Sequence, residues 1–276
     1  MVIEESFIKA TDGVRLYLRE WGEPSSAKAI IVLLHGVGEH CQRYEHVARM
    51  ACERGFYMLG YDRRGHGRSD GKQGVIGSVD QLVADFSQVI AHARDKNPAL
   101  PIFLYGHSMG ALGVLYYSLR EKPRVNGIIA TSPPLDTRTM TKSQKLLVRV
   151  LDPILPNLTV PSGLEQAAIS RDSTVIQAYK EDPLVHDKVS VRLGAYLNSA
   201  PDYVLEHANE WTLPLYLAHG TADRICPISG SDAFASKVQT PITYQRWEGL
   251  YHETHNEPEK ERVIGTMLDW IDSQLA

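Results

Sequence analysis

Ser108 lies between His107 and Met109 with a glycine two residues to either side, in Gly106-His107-Ser108-Met109-Gly110. A G-x-S-x-G stretch between a strand and a helix pushes one hydroxyl out on a sharp, strained turn. The context is present: "PIFLYG" reads as a buried strand and "MGALGVLYYSLREK" as a helix. At a helix start, free N–H groups and the helix dipole favour negative charge, which suits a serine nucleophile. The competing reading is an ordinary serine at a strand end.

A serine hydroxyl needs a base, and the base needs an orienting carboxylate. "LPLYLAHGTADRICP" puts Asp223 just past a strand, and "ITYQRWEGLYHETHNEP" puts His252 past the next one. The chain order Ser, Asp, His is one of those in which such a triad occurs. His255 competes for the role of base, but His252 is closer to the strand end. The plain alternatives are a capping aspartate and a surface histidine. His252-Glu-Thr-His255 is one residue short of H-E-x-x-H, so the two rings would not align on a helix, and no metal is expected. Acyl transfer also needs donors for an oxyanion. The N–H of Met109, directly after the serine, is one; the N–H of Val37, in the glycine-rich "HGVGEH" loop, is the other. No cofactor is called for.

The elements that must carry these groups alternate. "SFIKATDGVRLYLREW" reads as a hairpin turning at Asp12-Gly13, "AIIVLLHG" as a strand buried on both faces, "YEHVARMACERG" as a helix stopping at Gly55, and "FYMLGYD" as the next strand. In "SVDQLVADFSQVIAHARDKNP", Val79, Leu82, Val83, Phe86, Ile90 and Ala93 share one helical face, behind a Ser78/Gln81 capping box. "VNGIIATSP" is a strand, and the closing helix turns Ile264, Met267, Leu268, Ile271 and Leu275 inward. Such alternation predicts a mostly parallel sheet with helices on both faces, an α/β fold. From Pro134 to Asn209 the pattern is helical and Pro-punctuated with no convincing strand, so the chain is expected to divide into core (1–133), helical insertion (134–209) and core (210–276). "YDRRGHGRSDG" lacks the Lys-Ser/Thr of a P-loop, and Asp62, Arg64 and His66 are expected to hold a tight loop beside the site.

Composition narrows the function. The 276 residues carry 29 basic and 33 acidic side chains, so no broad cationic face for nucleic acid is implied. Cys41, Cys52 and Cys226 have no metal spacing and read as free thiols. The start, "MVIEESFIKATDG", has no signal-peptide core, and no apolar run approaches a membrane span, so the expected location is cytoplasmic or peripheral to membranes.

Taken together, "HGVGEH…RY", "YDRRGHGRSDG", "GHSMGA", "HGTADRICP" and "YHETHNE" resemble, in the same order, the monoacylglycerol lipase and lysophospholipase branch of the α/β-hydrolase fold. "LLVRVLDPILPNLTV", "AISRD" and "DPLV" look like its lid, so the resemblance spans nearly the whole chain. It implies Ser108, Asp223 and His252 as catalytic triad and Val37 and Met109 as oxyanion donors. It also implies a polar pocket for a glycerol leaving group at Glu39, Arg43 and His255. The family often has Ala where Val37 stands and Gly where Ala111 stands, which bears on substrate size rather than on chemistry. The implied substrate is a small lipid ester, with general carboxylesterase or lysophospholipase activity as the neighbouring reading. A non-catalytic ligand-binding protein would lack a triad member. In the insertion Leu146, Leu147, Val150, Leu151, Ile154, Leu155 and Leu158 form a dense apolar stripe. It either packs on the core, or caps an acyl tunnel and touches membrane or micelle surfaces transiently at its tip.

Overall fold

The computed structural model describes residues 1–136 and 141–275. In chain order it has β1 (Ile3–Lys9), β2 (Arg15–Trp21), β3 (Ala29–Leu34), α1 (Glu45–Glu53), β4 (Phe56–Tyr61), α2 (Val79–Lys96), β5 (Ile102–His107), α3 (Met109–Glu121) and β6 (Gly127–Thr131). There follow α4 (Lys142–Leu151), β7 (Thr159–Pro161), α5 (Ser173–Glu181), β8 (Lys188–Ser190) and α6 (Val191–Glu206), and then β9 (Leu215–Gly220), α7 (Ser229–Lys237), β10 (Thr243–Trp247) and α8 (Lys260–Ser273).

Eight strands form one sheet in the order β1-β2-β4-β3-β5-β6-β9-β10. β1 and β2 pair antiparallel around the Asp12-Gly13 turn, and β2 runs antiparallel to β4; the other pairs are parallel. Alternation along β3 shows why the central strands are apolar throughout. Ile30, Val32 and Leu34 join the cluster under α2, α3 and α6, while Ile31 and Leu33 join the one under α1 and α8. α2 starts on the expected capping box, Ser78 Oγ accepting from Gln81 N–H while Gln81 Oε1 accepts from Ser78 N–H.

Because β3, β4, β5, β6, β9 and β10 are parallel, their carboxyl ends and following loops share one edge of the sheet, where open α/β sheets bind ligands. Asp62, Arg64 and His66 brace that edge. Asp62 accepts from the N–H groups of Cys41 and Arg68, at 2.8 Å each. Arg64 grips Asp85 with two donors and reaches Asp12. The His66 ring lies between His35 and His186.

The segment between β6 and β9 is expected to hold no strand, but its described residues contain a two-stranded antiparallel ladder, Thr159 pairing with Ser190 and Pro161 with Lys188. Strands of three residues are too short to show alternation, and their partners lie some thirty positions apart. α6 buries Leu193, Tyr196, Ala200 and Val204 in the same cluster as α2 and α3. The stripe on α4 and the turn after it does the opposite: Leu146, Leu147, Val150, Ile154, Leu155 and Leu158 are exposed. Among the described residues no helix is long and apolar enough to cross a membrane, and Cys41, Cys52 and Cys226 are free.

Candidate active site

The turn from β5 into α3 is as tight as its glycines permit. Ser108 takes φ 55° and ψ −123°, a conformation that L-residues rarely hold. A Cβ on Gly106 would run into the Gly110 carbonyl, and one on Gly110 into the Leu34 carbonyl. The strained serine is held by Ser108 N–H donating to Thr131 O at 2.9 Å, and α3 begins directly behind it at Met109. The first N–H groups of a helix have no intrahelical acceptor, so the Met109 amide is a free donor beside the hydroxyl.

Loops after β9 and β10 bring the other two groups in. Gly220 has no room for a side chain against the Leu250 and Tyr251 carbonyls, and Gly249 N–H donates to Thr221 Oγ1 at 2.8 Å, which ties the loops together. Ser132, itself at φ 51°, donates its hydroxyl to His252 O at 2.7 Å. His252 Nδ1 lies 2.7 Å from Asp223 Oδ2, and His252 Nε2 lies 2.9 Å from Ser108 Oγ. A carboxylate only accepts, so Nδ1 carries the proton and the Nε2 lone pair faces the serine. Ser108, Asp223 and His252, separated by up to 144 positions, are thus in one hydrogen-bonded row.

The charges support this arrangement. Asp223 Oδ1 accepts from the N–H groups of Ile225 and Cys226 at 2.8 and 2.9 Å. His219 was not singled out in the sequence; its Nε2–H lies 3.1 Å from Asp223 Oδ2 and donates also to Cys226 O. Its signal is the spacing of four residues to Asp223. Burial alone would raise the Asp223 pKa, but the histidines outweigh it and leave the carboxyl well below its ordinary range. Burial likewise opposes charge on His252, yet Asp223 wins and the imidazole pKa is raised. His107, with its ring 4.9 Å from that of His252, is driven by burial down to about 3, so no second cation competes beside the base.

A narrow cavity opens onto Ser108, lined by Gly36, Val37, Glu39, His107, Leu164, Ile169, Tyr179, His252 and Glu253. Val37 therefore stands on the cavity wall, in the loop after β3; a Cβ on Gly36 would come 3.4 Å from Ser108 Cβ, so the loop passes close to the nucleophile. At the polar end Arg43 pairs with both oxygens of Glu253 at 2.8 and 2.7 Å and with Glu39 Oε2 at 2.5 Å. The guanidinium also lies over the Tyr179 ring at 4.6 Å. Glu39 Oε1 accepts from Gly36 N–H and from Tyr44 OH. Glu253 was not picked out from sequence. Burial would raise its pKa, but Arg43 brings it down to about 2, so it stays ionised. Arg43 lies behind the two carboxylates rather than on the wall. His255 is further off: it is stacked on Tyr44 at 4.8 Å, edge-on to His107 at 4.7 Å, with no hydrogen-bond partner at either ring nitrogen. Glu253, two residues earlier, lines the cavity where His255 does not.

Between β6 and β9, Leu164, Ile169 and Tyr179 contribute to the wall of this cavity, and the described residues around them are hydrogen-bonded to the core. Glu253 N–H donates to Ile169 O, His186 N–H donates to Gly38 O, and His40 Nε2 lies 2.8 Å from Asp182 Oδ2. A second, roomier cavity shares Leu164 and Tyr179 with the first and runs among Ser162, Gln166, His186 and Asp187.

Sheet order, strained serine turn and cavity define a serine hydrolase of the α/β-hydrolase superfamily. Residues 25–259 match the family described as serine aminopeptidase, S33. Monoacylglycerol lipase of Mycolicibacterium smegmatis is 33% identical over 275 residues, which cover 99% of this chain and 98% of that one. An uncharacterized abhydrolase domain-containing protein of Dictyostelium discoideum is 33% identical over 279 residues, all of this chain but 30% of its own length. The crystal structure of Paleococcus ferrophilus monoacylglycerol lipase superposes with a TM-score of 0.87 at 31% identity, covering 94% of this chain and 99% of that one. The chain belongs to this hydrolase family, as a monoacylglycerol lipase-like carboxylic ester hydrolase.

Proposed function

We propose that this chain hydrolyses monoacylglycerols to fatty acid and glycerol through an acyl-enzyme on Ser108. The observation that carries the mechanism is the row from Asp223 Oδ2 to His252 at 2.7 Å and from His252 to Ser108 Oγ at 2.9 Å. His252 Nε2 takes the hydroxyl proton as Oγ attacks the ester carbonyl, and Asp223 holds the tautomer and stabilises the imidazolium. The N–H groups of Met109 and Val37 receive the developing oxyanion. The imidazolium then protonates the leaving alcohol, and a water activated by the same base releases the acid.

The two ends of the cavity support this substrate. Glu39, Glu253 and the Tyr179 hydroxyl offer acceptors and a donor suited to a polyol, with Arg43 as the group that holds both carboxylates in place. Val37, Leu164 and Ile169 supply the apolar wall. The relatives from Mycolicibacterium and Paleococcus are monoacylglycerol lipases by name, in keeping with this assignment. The part of the insertion from α4 to β8 acts as the cap, with α6 as its footing. The test is a panel of monoacylglycerol, lysophosphatidylcholine and short nitrophenyl esters across acyl lengths. Monoacylglycerol should have the highest kcat/KM; a clear preference for the choline ester, or for short nitrophenyl esters alone, would overturn the glycerol assignment.

A further inference from the structure

The peptide that joins Gly36 to Val37 carries the second oxyanion donor on its nitrogen. Its oxygen, on the opposite side of a trans peptide, is in unusual company. Arg63 Nη2 donates to Gly36 O at 2.5 Å, and His35 Nδ1 lies 2.8 Å from the same oxygen. His35 Nε2 accepts from Arg63 N–H at 3.1 Å, which fixes the imidazole tautomer with its proton on Nδ1, so two donors converge on one carbonyl. Gly36 N–H, on the peptide before, donates to Glu39 Oε1 at 2.5 Å. The plane of the Gly36–Val37 peptide is therefore held from behind, and its N–H is left pointing the other way.

Arg63 has no other evident employment. It is buried, and among the described residues no carboxylate lies within ion-pair distance of it, whereas its neighbour Arg64 is paired with Asp85 and Asp12. A buried guanidinium without a counter-ion is costly, and burial accordingly lowers its pKa. Its hydrogen bond to a backbone carbonyl is charge-assisted. Donation to an amide oxygen draws electron density from the amide nitrogen and strengthens the N–H as a donor, as chains of hydrogen bonds do at low dielectric.

We propose that Arg63, seconded by His35, is a positioning residue that orients and polarises the Gly36–Val37 peptide so that the Val37 N–H meets the oxyanion. This rests on the acyl-transfer reading above. Arg63 touches no substrate: it acts through the peptide, and only when charge develops on the substrate oxygen.

The experiment compares wild type with Arg63→Met, which keeps the stem and removes the donors. It also uses Arg63→Lys, which keeps the cation but ends one bond short of the carbonyl. Removing a whole oxyanion donor costs on the order of 10²–10³ in kcat, so loss of its support should cost roughly 10–100-fold. KM should stay within about twofold. The affinity of an alkyl trifluoromethyl ketone, whose adduct with the serine carries an oxyanion, should fall in proportion to kcat. A merely structural Arg63 would lower the melting temperature without that proportionality. Either folded variant at wild-type kcat, or a loss confined to KM, overturns the role of Arg63. Failure of the wild type itself to hydrolyse esters and to take a fluorophosphonate label overturns the underlying reading instead.

Discussion

Helices α3 and α4 are both rich in leucine and valine, and they dispose of them in opposite ways. α3 buries Leu112, Val114, Leu115 and Leu119 against the sheet and delivers Ser108 at its start. α4 leaves Leu146 62% and Leu147 57% exposed. The first helix is placed by the strand before it, by the glycines that let β3 approach, and by α6 lying across it. Among the described residues nothing covers Leu146, Leu147 and Val150 of the second. Apolar residues that remain exposed as a group mark a surface meant to meet something else. The proposed chemistry thus lies where the chain packs on itself, and the proposed route of substrate delivery where it does not.

The sharpest way to break this division is at α3's first turn. Ser108→Ala removes the nucleophile and should lower kcat on the order of 10⁴-fold or more on every ester, long or short, with the melting temperature preserved or raised as the strained serine loses its hydroxyl only. Asp223→Asn, which would leave the wrong tautomer of His252 facing the serine, should come close behind, on the order of 10³–10⁴-fold. Steady-state kinetics on a soluble nitrophenyl ester and on a long monoacylglycerol check both. A loss that depended on acyl length would place these residues in binding rather than chemistry.

Such residues were legible in the sequence because each obeys a local rule. A glycine two positions either side of Ser108 states the turn, and Asp223 and His252 follow recognisable strands. Where the rule is not local, legibility ends. His255 was the expected third polar contact, but the choice between 253 and 255 depends on which face of a short turn points at the cavity, and the cavity wall holds Glu253. Arg63 gave no signal because its partner is a backbone carbonyl, which no residue type announces. β7 and β8 escaped because three residues cannot display a period. The fate of the α4 stripe was undecidable, since an apolar face reads the same whether it is covered by protein or by lipid.

Acidity separates the two kinds of histidine in the core. His252 has its pKa raised, net of burial, by Asp223, and catalysis needs it neutral. kcat/KM should therefore climb about tenfold per pH unit up to a midpoint above the ordinary histidine value of about 6.5, then level off. Its pairing stabilises the fold below about pH 6.5 and that contribution is lost as pH rises through the raised value. Six others, His35, His46, His66, His107, His186 and His255, are shifted down by burial. Their contribution is present above about pH 6.5 and is lost as pH falls toward their depressed values, about 3 for His107. Six against one, the melting temperature should fall on acidification below about 6.5, at a lower pH than the activity midpoint. Coincident midpoints from kinetics and calorimetry would mean that unfolding, not the charge on His252, limits the rate in acid.

The smallest effect should come from α4, and it sharpens the comparison most. Leu146→Ser with Leu147→Ser and Val150→Ser removes apolar area that is already in water, so folding has little to lose: the melting temperature should move by no more than a degree or two, if anything upward. On a short nitrophenyl ester below its micelle concentration, kcat and KM should both stay within about twofold. On a long-chain monoacylglycerol presented in mixed micelles or vesicles, kcat/KM should fall several-fold, because each buried CH₂ contributes about 0.8 kcal/mol to association with an apolar phase. The triple variant should also sediment less with phosphatidylcholine vesicles. Equal loss on both substrates would mean that α4 supports the catalytic row mechanically. No loss on either would leave the exposed stripe without a part in substrate delivery, and α3 and α4 would then differ in packing alone.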